Sequence, residues 1–168
     1  ADAAQFFFTP TLINTGAELI LFDTGLNPAG ITAALEAAGY TADQVDRVVI
    51  THMHGDHIGG IYDGTPTFAN AAYSTGSVEM GHWESTGNEG FEAKIRPLQE
   101  QFDLLKGGSE VAPGITAMEA FGHTPGHMAY HIESEGERLI LAVDFANHYV
   151  YSLAHPDWEV SFDADKAA

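Results

Sequence analysis

The sequence predicts an α/β fold in which layers of β-sheet are covered by helices. Two observations lead there: apolar strands alternate with helical segments through the first half of the chain, and three strands follow one another in the second half. Length supports a single domain spanning residues 1–168. With 168 residues, 45% of them hydrophobic, the chain can bury roughly 70% of its unfolded surface in one core.

Element by element, residues 18–23 read as an apolar strand that ends in the Thr24-Gly25 turn, and residues 31–38 as an alanine-rich helix closed by Gly39. Thr41 and Gln44 carry the spacing of a capping box for a short helical turn. Residues 47–50 are a buried-type strand. Short strands are expected at 67–68 and 72–75, and a helix from 77, capped by Ser77, through 84. Residues 91–105 read as a helix that Pro97 breaks or kinks. Strands at 115–121, 128–133 and 138–144 follow, the last two joined by a hairpin turn at 134–137.

Composition excludes whole classes of function. There is no cysteine, so thiolate catalysis, cysteine-ligated zinc and disulfides are out. Twenty-four acidic against six basic residues give a net charge of -18, from which no nucleic-acid or anionic-membrane surface can be assembled. No apolar run approaches the roughly 20 residues of a membrane span. The expectation is a soluble protein, cytoplasmic or periplasmic, that acts on a small molecule and holds cations.

The chemistry concentrates in His52-Met-His54-Gly-Asp56-His57, three imidazoles and a carboxylate within six residues. Histidines at i and i+2 of an extended segment lie on the same side, whereas Asp56 and His57 follow as the chain turns and point at a neighbouring position. This suits two metal ions side by side better than one closed tetrahedral site. Farther on, Pro125-Gly126 makes a tight turn before His127, and Asp144 ends a strand with a pair of hard oxygens.

His52-x-His54-x-Asp56-His57 directly after an apolar strand resembles the signature of the metallo-β-lactamase-fold superfamily. Phe22-Asp-Thr-Gly25, Gly122-His-Thr-Pro-Gly-His127 and Ala142-Val-Asp144 resemble its other markers, in the family's order. Within the superfamily, Asp157-Trp-Glu159 and Asp163-Ala-Asp165 look most like the organophosphate-hydrolase and lactonase-like branch. The resemblance implies a four-layer αββα sandwich. It also implies His52, His54 and His127 on one metal ion, Asp56 and His57 on a second, and Asp144 bridging them. Asp23 would accept a hydrogen bond from a ligand histidine or loop amide, and His123 would pack or hydrogen-bond within its loop. Two zinc ions are expected, with iron or manganese as alternatives.

The function so implied is hydrolysis of an ester, lactone or phosphotriester by a hydroxide shared between the metal ions, with Asp56 and Asp144 handling its protons. The alternatives are an iron-dependent oxidoreductase resembling persulfide dioxygenases, and a metal-binding scaffold without activity. Two departures from the family stand out. Many acyl-homoserine-lactone lactonases carry a tyrosine three residues after the bridging aspartate, where this chain has Asn147; Tyr149 and Tyr151 are nearby. The family's last histidine ligand has no counterpart here, since His148 and His155 come too soon. The chain is therefore expected to lack a C-terminal helix and strand, and to cover the open face as a homodimer or by exchanging an element.

Overall fold

Strand β2 (Leu19–Phe22) shows how the molecule is layered, because all four of its side chains are buried. Leu19 and Leu21 point into one hydrophobic cluster and Ile20 and Phe22 into another, as the two-residue period of a strand dictates. A strand buried on both faces loses the polar alternation of a surface strand and reads as a continuous apolar run. The computed structural model describes residues 7–146, 148–155, 157–159 and 163–165.

The first sheet has five strands in the order β1 (Thr11–Asn14), β2, β3 (Arg47–Ile50), β4 (Ala72–Gly76) and β5 (Phe102–Leu105). β1 runs antiparallel to β2, and β2 through β5 are mutually parallel. The second sheet is an antiparallel meander of β6 (Glu110–Ala112), β7 (Ile115–Glu119), β8 (Met128–Ser134) and β9 (Glu137–Leu141). The sheets meet through Ile20, Phe22 and Val49 on one side and Ile115, Ala117, Met128 and Tyr130 on the other. Phe22 and Tyr130 stack edge to face at 4.8 Å.

Helices cover the opposite face of the first sheet. α1 (Pro28–Ala37) buries Ile31 and Leu35 there, and its N-terminus is capped by Asn27, whose side chain accepts from Gly30 N at 2.8 Å. α2 (Gly55–Ile58) contributes Ile58, α3 (Ser77–Glu84) Met80 and α4 (Glu89–Lys94) Phe91. Helix, sheet and sheet make three of the four expected layers in the described residues. The outward face of the second sheet is open at Met118 and Ile140.

The structure corrects several sequence expectations. Residues 91–105 are not one helix: α4 gives way to a 3-10 turn at Arg96–Gln101 and then to β5. The apolar positions 91, 95, 98, 102 and 105 keep a helical spacing throughout, but the last two belong to a strand paired with β4. Residues 67–68 are not a strand, and Ser77 is the first residue of α3, not its cap, which is Gly76. Strand β9 stops at Leu141, so Asp144 lies in a 3-10 turn at Val143–Ala146. The capping box at Thr41 and Gln44 is present. So is the hairpin after Ser134, with Glu135 and Gly136 both at positive φ as a two-residue turn requires. Asn147 lies outside the described residues, as do the side chains of Tyr149 and Tyr151 and the backbone of 160–162 and 166–168, where a terminal helix start was expected.

Candidate metal centre

The site forms where the carboxyl ends of β2 and β3 meet the loops at one end of the second sheet. β2 delivers Asp23, and β3 runs directly into Thr51 and His52. His54 caps the short helix α2, which carries Asp56 and His57. The β7–β8 loop brings His123 and His127, and the turn after β9 brings Asp144. Met128 N donates to Thr51 O at 3.1 Å, tying the two sheets together at this point.

Two donor groups share His52. His52, His54 and His123 form one, and His52, His57 and Asp144 the other, each with ligand atoms within 4.8 Å of one another. Asp144 sits between them. Its Oδ2 lies 3.5 Å from His123 Nε2, 3.6 Å from His57 Nε2 and 4.0 Å from His52 Nε2. Asp56 Oδ2 is 3.5 Å from His57 Nε2.

Hydrogen bonds behind the rings determine which nitrogen each presents. Asp23 accepts from Thr51 N at 2.9 Å and from Thr51 Oγ1 at 2.8 Å, and its Oδ2 also lies 2.8 Å from His57 Nδ1. Thr51 Oγ1 in turn stands 3.2 Å from His52 Nδ1. One buried carboxylate therefore orients two histidines, each with Nδ1–H turned away from the site and Nε2 turned into it. His123 is held the same way, its Nδ1 lying 2.8 Å from Asp163 Oδ1. His54 is the exception and turns Nδ1 inward, 3.0 Å from His123 Nε2. Two imidazole nitrogens this close either share a proton or face one cation.

His123 and His127 exchange their expected places. His127 has both ring nitrogens engaged: Nδ1 donates to Ala120 O at 3.1 Å, and Nε2 accepts from Asp144 N at 3.2 Å. It braces the loop and the Asp144 turn, while His123 joins His52 and His54. The Gly-His-Thr-Pro-Gly-His run offers two histidines four residues apart, and only the course of the loop decides between them.

Electrostatics follow from burial and crowding. Burial, with four neighbouring imidazoles, holds His52 well below the usual histidine range, and burial together with His123 lowers His54. Burial, reinforced by His123, takes His127 down to about 4. These rings are neutral at pH 7, the form in which His52 and His54 can bind a metal ion. Burial also pushes His57 down, but Asp23, Asp144 and Asp56 outweigh it and raise the ring to about 12. Asp144 is opposed by burial yet lowered by the His57 ring beside it, and Asp56 is lowered chiefly by the same ring. Backbone strain is stored here too. Asp23 has φ 61°, and Val143, a β-branched residue preceding Asp144, has φ 55°.

These residues fit a metal pair. His52 Nε2 is fully buried and finds no hydrogen-bond partner among the described residues, a need that a cation would meet. The donors are imidazole nitrogens and carboxylate oxygens without thiolate, a set that suits zinc, iron or manganese.

Glu79 on α3 supports the site without any motif to mark it. It is fully buried and accepts from Met53 N, Trp83 Nε1, Thr124 Oγ1 and Gly126 N. A glutamate in the first turn of a short helix carries no local signal of this.

The fold and the paired His/Asp clusters define a known class: the chain belongs to the metallo-beta-lactamase superfamily, whose sequence profile matches residues 9–164. An N-acyl homoserine lactonase from Bacillus sp is 26% identical over 139 residues, covering 82% of this chain and 52% of the relative. Among solved structures, the hydrolase AbOPH superposes with a TM-score of 0.84 at 28% identity, covering 92% of this chain and 62% of that one. AidC, a dizinc quorum-quenching lactonase solved with a product bound, superposes with a TM-score of 0.77 at 26% identity over the same shares. The chain thus spans about half the length of the curated lactonase and under two thirds of the two structures.

Proposed function

We propose that this protein is a dinuclear metal-dependent hydrolase of small, uncharged or weakly charged esters, lactones or phosphotriesters, with zinc as its metal. The observation that carries the reading is the position of Asp144, whose Oδ2 lies within 4.0 Å of a nitrogen from each donor group. His52, His54 and His123 would hold one ion and His57 and Asp56 the other, with Asp144 between them. Such a pair, when bound, supplies an activated water at neutral pH and a Lewis acid for the substrate oxygen.

The chain's own groups do the rest. Asp23 keeps the His57 ring turned so that Nε2 faces the site, and Asp163 does the same for His123. Asp56 and Asp144 lie 3.5 and 3.6 Å from His57 Nε2 and are the carboxylates that would accept a proton and return it to a leaving oxygen.

Two recesses flank Asp144 and support the substrate class. One, of about 280 Å³, mixes Phe7, Phe8 and Leu141 with Thr9, Asp56 and His57; the other, of about 350 Å³, is walled by Met118, Phe121, Ile140 and Phe145. The apolar wall of the second recess beside Asp144 suits a neutral group with apolar substituents, and the acidic residues of both repel polyanions.

The test is metal content together with a panel of a small ester, a lactone and a phosphotriester. Two zinc ions per chain with turnover of a panel member supports the reading. One iron with oxygen consumption means an oxidoreductase, and bound metal without turnover means a scaffold.

A further inference from the structure

We infer that Glu79 is a positioning residue that sets the spacing between the two ligand-bearing loops, and so between His54 and His123. The inference rests on the metal-dependent reading above and adds a residue that touches neither substrate nor the proposed ions.

The geometry assigns each carboxylate oxygen two donors. Oε1 accepts from Met53 N at 2.8 Å, between His52 and His54, and from Trp83 Nε1 at 2.6 Å. Oε2 accepts from Thr124 Oγ1 at 2.7 Å and Gly126 N at 3.0 Å, in the loop that begins with His123. One side chain therefore joins segments separated by about seventy residues of chain. Trp83, held by the same oxygen, packs edge-on against the His54 ring at 5.7 Å.

The backbone is shaped for this contact. A Cβ on Gly126 would collide with the Glu79 nitrogen and Cα, so the loop rests directly on the first turn of α3. No cation offsets the carboxylate among its hydrogen-bond partners; it is satisfied by two backbone amides, an indole and a hydroxyl. A buried anion satisfied only by neutral donors is costly to build, and it holds those donors in one arrangement.

Glu79→Gln keeps the shape but turns an NH2 group toward one pair of donors, so one loop loses its anchor. Glu79→Asp keeps the charge but is one methylene too short to reach both loops. Thr124→Val removes a single donor and serves if the Glu79 variants do not fold. Each is tested in three ways: thermal midpoint, zinc affinity by chelator competition well below that midpoint, and imidazole 15N shifts in the metal-free protein. The expected result is zinc affinity weakened about 10–100-fold in the Glu79 variants, with shift changes at His54 and His123 but not at His57, which Asp23 holds independently. Variants of lower midpoint with wild-type zinc affinity and unchanged His54 and His123 shifts would overturn the inference. If the wild-type chain takes up no metal, the metal reading itself fails. The 15N shifts then decide the role of Glu79: movement confined to His54 and His123 sustains it, and no movement removes it.

Discussion

The backbone N–H of Asp144 donates to Nε2 of His127 at 3.2 Å, so a histidine that the motif offers as a ligand instead holds the neighbouring carboxylate in place. Ligation and bracing are separable by substitution. His123→Ala is expected to abolish uptake at the first metal position. His127→Leu, which strands the Asp144 amide, is expected to cost about 1–3 kcal/mol of stability and leave that position filled. Zinc titration and thermal melts of the two variants check this, and the opposite pattern would return His127 to the ligand set.

Asp163 should matter far beyond its own neighbourhood. Its carboxylate sets the ring orientation of His123 from a mostly exposed stretch of chain. Asp163→Ala is expected to weaken zinc binding about 10–100-fold with little change in thermal midpoint, and Asp163→Asn, which still accepts from Nδ1–H, to recover part of the loss. Chelator competition measures both.

Zinc uptake should release a proton at neutral pH. His57, raised to about 12 by its three carboxylate neighbours, carries a proton in the metal-free chain, while His52 and His127, depressed by burial, do not. Ligation needs the neutral ring, so binding on the His57 side strengthens as pH rises, by about tenfold per unit for one proton. Titration calorimetry in buffers of different ionisation enthalpy counts that proton; none released would mean that His57 binds no metal.

Asp144→Ala is expected to lower turnover by about 10²–10⁴-fold while the metal-free protein melts almost as before. The carboxylate faces the histidines and supports no apolar packing. Steady-state kinetics beside a thermal melt checks the pair of outcomes.

Tyr130→Phe is expected to leave stability unchanged or raise it by about 1 kcal/mol. The hydroxyl is fully buried and finds no partner among the described residues, so deleting it removes a desolvated dipole and keeps the ring stacked on Phe22. Chemical denaturation of the variant measures this.

The sequence alone was sufficient for the α/β class and for the cluster from His52 to His57. Both rest on local pattern: a buried strand is an apolar run, and six consecutive residues cannot move far apart when the chain folds. Asp144 and Asp23 were legible because each follows closely on a strand that the pattern marks. Tertiary structure decided what depends on contacts distant in sequence. The helical spacing of 91–105 continued into β5 because one set of apolar positions can face a core from a helix or from a strand, and only pairing with β4 selects the strand. His123 rather than His127 entered the cluster because the loop rests on α3 and its second histidine is engaged by Ala120 and Asp144. Glu79 and Asp163 act across 45 and 40 residues of chain respectively. A hydrogen bond over such a separation exists only once folding has brought its two ends together, and nothing in the residues beside either end announces it.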